Sequence, residues 1–560
     1  MNNKEIAGMF KLAGKLTELH DGNDFKVKSY MANAFKIERL PQPLEYMSAE
    51  EIAKIEGIGK GTHTKINEII SSGTLKDLDE LIAQTPVGVL EMLSVKGLGP
   101  KKVRTIWKEL EVESVGELLY ACNENRLVTL KGFGEKTQDE VIKSIEFLQA
   151  NTSKFLYAKL EPVALQLIEA IEKSGVAEQV SLTGEIRRRC SELEKIELIA
   201  TIPDKSKFLI FIESIKHPEQ EFILSFAEEN SGVSLSFILN NSIPVKIFTC
   251  EKIDFYSTIF KTTGSAQHLE LLGNPQVDKE TSEEEIYKKA GWNFIIPELR
   301  EGKFEKQFNE QNKLKDIVEL SDLRGILHNH TTYSDGVHTL EQMANYCKEL
   351  GYEYLGISDH SQYAVYAKGL KPEQIIQQHK EVDFLNEKLK PFRIFKGIEA
   401  DILPDGSLDY NDEILASFDF TVASIHSAMK MDEAKATVRL IRAIENPHTT
   451  ILGHPTGRLL LSRPGYPIDH KKVIDACAAN NVVIELNANP HRLDIDWIWI
   501  PYCMEKGVMI SINPDAHKME GYHDMHYGSL AARKGGLTKQ MTFNALSLEE
   551  IEKWFLEKKK

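Results

Sequence analysis

Paired cysteines are missing from this chain. Its six cysteines (Cys122, Cys190, Cys250, Cys347, Cys477 and Cys503) are scattered, and no CxxC occurs. That excludes a zinc ribbon or a disulfide framework and fits a reducing cytoplasm. The thiols read as small buried hydrophobes. Apolar runs of about 18 residues are also missing, so no membrane helix is expected. The first residues lack the apolar segment and cleavage site of a secretory signal. Positive charge is short: 68 Lys and Arg face 84 Asp and Glu, a net charge of -16. This excludes a simple polybasic coat for nucleic acid. Histidine is scarce in the first half, where His20, His63, His217 and His268 precede a dense set from His328 to His526.

What is present is an ordinary globular composition, 42% hydrophobic and 27% charged over 560 residues. It argues against a fully disordered or collagen-like chain. The length suits about three to five domains. Residues 1–150 read as helical, with Ile6, Met9, Phe10, Ala13 and Leu16 at helical spacing. Residues 151–300 mix helices with strand-like runs (SLTGE, IELIATI, FLIFI, IPVKIFT), an α+β pattern. Residues 301–322 are polar and read as a linker. From 325 to 530, short apolar runs (YLGISD, RIFKGIEA, FTVASIH, TILGHP, VVIELNA, VMISINPD) alternate with helical segments. That alternation predicts parallel β/α units closing into a barrel, with its chemistry at the carboxyl ends of the strands.

A short pattern occurs three times: GIGKG (Gly57–Gly61), GLGPKK (Gly97–Lys102) and GFGEK (Gly132–Lys136). Gly57, Gly59, Gly97, Gly99, Gly132 and Gly134 would let backbone approach a partner closely. The helix that follows offers unpaired N–H groups to a DNA phosphate without reading sequence. Lys60, Lys101 and Lys102 would add charge. The other reading is a plain helix–helix turn. With FKVKSYMANAF (Phe25–Phe35), these motifs resemble the helix-hairpin-helix elements of the DNA polymerase X family. The resemblance aligns Lys65 with a lysine that forms a Schiff base with abasic sugar in some members. A solvated or phosphate-contacting lysine is the other reading, and the one preferred here.

The resemblance implies a nucleotidyltransferase palm with a Gly-Ser-x-Arg-Arg turn and three metal-binding aspartates. Here the segment reads LTGEIRRRCSELEKIELIA. Gly184, Arg187 and Arg188 match the turn, but Glu185 stands at the serine position. Lys195, Glu197 and Lys246 stand at the three aspartates. TTGSAQH (Thr262–His268) keeps the family's Thr-Gly-Ser, but Lys261 and Thr262 stand where the family has an aromatic pair. Two cations among three ligand positions oppose Mg²⁺ binding, so polymerase activity is expected to be lost.

In the second half, ILHNHTTYSDG, GISDHS, KGIEAD, VASIHS, ILGHPTGR and SINPDAH each end an apolar run with imidazole or carboxylate. Borderline nitrogen and hard oxygen ligands together suit Zn²⁺, Mn²⁺ or Fe²⁺. The set resembles the polymerase and histidinol phosphatase (PHP) family. That resemblance implies three divalent ions held by His328, His330, Asp335, His360, Glu399, His426, His454, Asp515 and His517. It also implies phosphoester hydrolysis by a hydroxide that several metal ions activate. Asp359 and Asp401 are candidate orienting or catalytic carboxylates. Arg458 and Arg463 are candidate phosphate clamps.

The sequence therefore predicts a multidomain α and α/β protein. Residues 1–77 and 78–150 form helical helix-hairpin-helix domains, 151–250 a palm and 251–305 a thumb-like region. Residues 306–324 form a linker, and 325–560 a distorted (β/α) PHP barrel. The expected activity is hydrolysis of DNA phosphoesters: 3′–5′ exonuclease, abasic-site endonuclease or 3′-end processing. The substrate would be gapped, nicked or damaged DNA, handled by a cytoplasmic monomer without membrane contact. A gap-filling polymerase, a histidinol-phosphatase-type enzyme and a DNA-binding scaffold are the alternatives.

Overall fold

The computed structural model describes residues 1–40, 42–55, 58–149, 154–215, 225–229, 232–239, 243–277, 279 and 281–559. Contacts divide the chain into two compact units, Met1–Leu148 and Gln149–Lys560.

The first unit is helical. One apolar core runs from Ile6 to Ile145 and serves both 1–77 and 78–150. Asn2 and Glu5 close a capping box on the helix Asn3–Leu19. The helices Lys60–Ser72 and Pro100–Glu109 start directly after Gly59 and Gly99, and Glu135–Gln149 starts after Gly134.

Among the described residues the second unit holds three sheets. In the smallest, β1 (Phe155–Leu156) pairs antiparallel with β3 (Glu192–Leu193). The palm-like sheet has the order β2 (Gln179–Leu182), β4 (Ile196–Thr201), β7 (Ile243–Cys250), β6 (Gly232–Leu239) and β5 (Ser225–Glu229). Only the β4–β7 pair is parallel. Two expectations are corrected here. FLIFI lies in a helix, Lys205–Ser214, not a strand. Asp204 accepts hydrogen bonds from the N–H groups of Ser206 and Lys207, and Phe208 and Ile212, one turn apart, are buried. An all-apolar run has no period to separate the two readings, and the cap decides it. The polar stretch 306–324 is not a free tether. Phe308 and Val318 are buried, and the Val318 N–H donates to the Leu537 carbonyl at 2.8 Å.

The third sheet is a row of seven parallel strands. They are β8 (Gly325–Ile326), β9 (Tyr354–Ile357), β10 (Arg393–Asp401), β11 (Phe420–Ser424), β12 (Ile451–Leu452), β13 (Val483–Asn487) and β14 (Ile510–Asn513). They are buried on both faces, as near-continuous apolar runs require. A bridge between Asn329 and Ala516 brings the two ends of the row together, so the sheet is a nearly closed barrel. The last helix, Leu548–Lys558, packs Phe555 on Phe420 with ring centroids 5.4 Å apart. Parallel strands put every connecting loop that follows a strand at the same end of the barrel.

Candidate metal centre

The nine residues named from the sequence all sit at or just beyond the carboxyl ends of these strands. His328, His330 and Asp335 follow β8, and His360 follows β9. Glu399 lies near the end of β10, His426 follows β11, and His454 follows β12. Asp515 and His517 follow β14. Glu399 sits at the middle, with Oε1 3.2 Å from His328 Nε2 and 3.1 Å from Nε2 of His426 and of His454. Its Oε2 is 2.9 Å from His360 Nδ1. Asp515 Oδ1 lies 3.0 Å from His330 Nε2 and 3.4 Å from His328 Nε2. Asp335 faces His517 Nε2 at 3.3 Å and His360 Nε2 at 3.6 Å.

The donor set fits metal ions. Both ring nitrogens of His360, Oε2 of Glu399, Oδ2 of Asp335 and Nδ1 of His454 are buried, and no hydrogen bond satisfies them. Each such group costs about 1–3 kcal/mol in a dry site, and coordination would satisfy it. The ligand atoms fall into close groups: His330, Asp335, His360 and His517; His328, His454 and Asp515; His328, His330 and Glu399; His360, Glu399 and His426. The palm-like sheet has no comparable group among the described residues.

Electrostatics keeps the carboxylates charged. Burial alone would raise Glu399, but the imidazoles of His426, His328 and His360 hold it well below the carboxylate range. Asp515 is held low in the same way by His328 and His330. Burial, reinforced by the Arg492 guanidinium, takes His454 down to about 3. Two of the nine residues adopt left-handed backbone, His454 at φ 22° and Asp515 at φ 52°, a strain typical of functional sites.

A surrounding set orients the nine. Asp401 Oδ1 lies 3.1 Å from His426 Nδ1. Glu485 Oε1 lies 2.6 Å from His328 Nδ1, and its Oε2 accepts the His454 N–H at 2.8 Å. Asn487 donates to Asp515 Oδ2 at 3.1 Å. Glu485, Asn487 and Arg492 were not singled out from the sequence. A carboxylate inside the apolar run VVIELNA was the available signal for Glu485.

Two candidate roles, those of Asp359 and Arg458, are corrected. Asp359 does not reach into the cluster as an acid or base. It accepts four hydrogen bonds, from Thr331 N–H, Thr331 Oγ1, Ser334 Oγ and Gln378 Nε2, and so braces the loop carrying Asp335. Arg458 points away from the cluster. It pairs with Asp496 and donates to the Arg492 carbonyl at 2.9 Å and to the Leu493 carbonyl. Arg463 donates to the Gly457 carbonyl at 2.7 Å. The guanidinium at the site is that of Arg492, with Nε 3.9 Å from Asp515 Oδ2.

In the palm, Glu197 accepts the Glu185 N–H at 3.3 Å and pairs with Lys195 at 3.5 Å. Lys246 stands opposite Glu197 in the β4–β7 register. Arg187 pairs with Glu283, and Arg188 with Glu301 at 3.0 Å. In the first unit, Gly97 and Gly132 take φ of 90° and 88°, which glycine adopts without strain. Open space lies where a Cβ on Gly59, Gly97, Gly99, Gly132 or Gly134 would stand. Gly57 lies outside the described residues. Lys60 is the first residue of its helix. Lys101 approaches Glu18 at 3.8 Å, and Lys102 donates to the Gly97 carbonyl at 3.3 Å. Lys65 is held by Asp77 at 2.6 Å.

Family models match the chain in three places: a helix-hairpin-helix domain over residues 1–75, a SAM-like helix-hairpin-helix tandem over 89–146 and a PHP domain over 327–489. The DNA polymerase/3′-5′ exonuclease PolX of Bacillus subtilis is 33% identical over 99% of both chains. A "Probable phosphatase" of Thermoanaerobacter sp. is 28% identical over 31% of this chain and 73% of its own length. The "Probable phosphatase YcdX" of Escherichia coli is 29% identical over 29% of this chain and 62% of its own. The chain belongs to the DNA polymerase X family, among members that carry a C-terminal PHP domain.

Proposed function

We propose that this chain is a DNA-binding, metal-dependent phosphoesterase whose working centre is the PHP barrel. Release of nucleotides from a 3′ end is the activity this reading favours. The observation that carries it is the cluster of nine buried imidazoles and carboxylates with unsatisfied ligand atoms at one barrel end. His328, His330, Asp335, His360, Glu399, His426, His454, Asp515 and His517 would hold divalent ions, three in this reading, with Mn²⁺, Zn²⁺ and Fe²⁺ all compatible. When bound, such ions supply Lewis acidity and a nucleophile at neutral pH for in-line displacement at phosphorus.

The chain's own residues supply the rest. Asp401 and Glu485 fix the rings of His426 and His328, so their ligand nitrogens face inward. Asp359 secures the loop of Asp335. Arg492 brings a guanidinium suited to a phosphoester oxygen beside Asp515. The helix-hairpin-helix backbone would hold the duplex by its phosphates. Gapped, nicked or damaged DNA and a monomeric enzyme complete this reading. Among the described residues, no helix is long and apolar enough to cross a membrane.

Polymerisation does not belong to this function, because Lys195 and Lys246 oppose the metals that phosphoryl transfer needs. A small-molecule phosphatase accounts for less, since the matched phosphatases cover about a third of the chain. The test compares Mn²⁺-supported hydrolysis of 3′-labelled DNA with that of histidinol phosphate. Nucleotide release from DNA is expected. Hydrolysis of the monoester alone, indifferent to DNA, would replace this reading with the phosphatase.

A further inference from the structure

The loops that carry the cluster also hold apolar side chains out in water. Val337, two residues after Asp335, is 50% exposed, and its N–H donates to the His517 carbonyl at 2.8 Å. After β9, Tyr363 is 46% and Val365 80% exposed, three and five residues beyond His360. Neighbouring strands β8 and β9 place these two loops side by side.

The second loop is braced. Ser361 and Leu370 close it as a bridge, and the Leu370 N–H donates to the His360 carbonyl at 2.8 Å. The Tyr363 N–H donates to Asp409 Oδ2 at 2.9 Å, and Gln362 Nε2 to the Asp409 carbonyl at 2.6 Å. An aromatic ring and two aliphatic groups are thus held on rigid backbone at the barrel end that bears the nine ligand residues. Apolar groups held at the mouth of a site offer a surface that a bound molecule can cover. A phosphate group cannot cover it. A nucleobase can, since every base offers a flat π face to an aromatic ring.

We propose that Tyr363, with Val365 on the same loop, forms a stacking platform for the terminal base of a DNA strand whose last phosphoester enters the candidate metal centre. This rests on the phosphoesterase reading above and deepens it. The site would take a nucleotide, held by its base on the β8–β9 side and by its phosphate beside Arg492. Selectivity for a base-bearing end over a base-free one follows.

The test uses the full chain with Mn²⁺ and an oligonucleotide carrying 2-aminopurine at its 3′ end, its last linkage a phosphorothioate to slow cleavage. Wild type and Tyr363→Phe should quench the probe by stacking. Tyr363→Ser should abolish the quench and weaken binding about tenfold, within the range of one base–aromatic stack. On cleavable DNA, the kcat/KM ratio of a normal to a tetrahydrofuran-ended strand should be about ten in wild type and near one in Tyr363→Ser. An undiminished quench in Tyr363→Ser, or a wild-type ratio near one, overturns the platform. Quenching without hydrolysis keeps the platform and defeats the phosphoesterase reading. Hydrolysis without quenching does the reverse.

Discussion

Glu485 Oε1 lies 2.6 Å from Nδ1 of His328, with both side chains fully buried. The pair sets the direction of the His328 ring, so that Nε2 faces Glu399 and Asp515. Glu485→Gln keeps the shape and loses the charge. Metal affinity should fall about 10- to 100-fold, as for other residues that orient a ligand. Metal titration followed by calorimetry measures it, and an unchanged affinity would remove Glu485 from the account.

The palm should not polymerise. Primer extension with Mg²⁺ or Mn²⁺ on a gapped template is expected to give no templated product, because Lys195 and Lys246 repel divalent ions. Robust extension would show that Glu197 and its neighbours still hold metal.

Lys534 is buried against the palm-like part of the second unit. Its Nζ pairs with Glu301 and donates to the Arg188 carbonyl at 3.0 Å. Lys534→Met leaves Glu301 with Arg188 and the Cys190 thiol as its remaining partners. A loss of about 2 kcal/mol is expected for removing a charge-assisted hydrogen bond while Arg188 still neutralises Glu301. Denaturant unfolding of the variant checks it, and a loss below about 0.5 kcal/mol, the range of ordinary surface substitutions, would contradict it.

His379 supplies a pH dependence. Burial, helped by Lys396, takes its imidazole down to about 4. The folded value lies below the unfolded value of about 6.5, so the neutral ring stabilises the fold above pH ~6.5. That contribution falls progressively as pH drops from ~6.5 towards 4. His379→Phe should lose less stability than wild type between pH 7 and pH 4.5, read as the difference in unfolding midpoint. An identical acid-side loss in both proteins would rule out His379.

Lys101→Ala and Lys102→Ala should each weaken binding to any DNA sequence and lower the salt slope by about one. Anisotropy titrations at several salt concentrations decide this. A slope unchanged in both variants would turn the second hairpin back into an ordinary helix–helix turn.

Much of the candidate centre was legible in the sequence, because a parallel barrel repeats one instruction: an apolar run, then a ligand. His360 after YLGIS and His426 after FTVAS follow that instruction directly. Arg492 and Glu485 do not, since the fold alone brings them beside Asp515 and His328. Arg458 misled because proximity to His454 in sequence says nothing about side-chain direction, and Asp496 draws it away. FLIFI misled because a run without polar residues carries no period, and the deciding signal was the single cap at Asp204. The helical first unit was legible from spacing, and the glycine pairs marked its turns. The burial of Phe308 and Val318 was hidden inside a polar stretch.

The most direct measurement is metal-dependent nuclease activity on 3′-labelled DNA for wild type, His330→Ala and Asp515→Ala. The account predicts nucleotide release by wild type and a loss of at least about 100-fold in each variant, with the overall fold retained by circular dichroism. Cleavage that persists in both variants would contradict it.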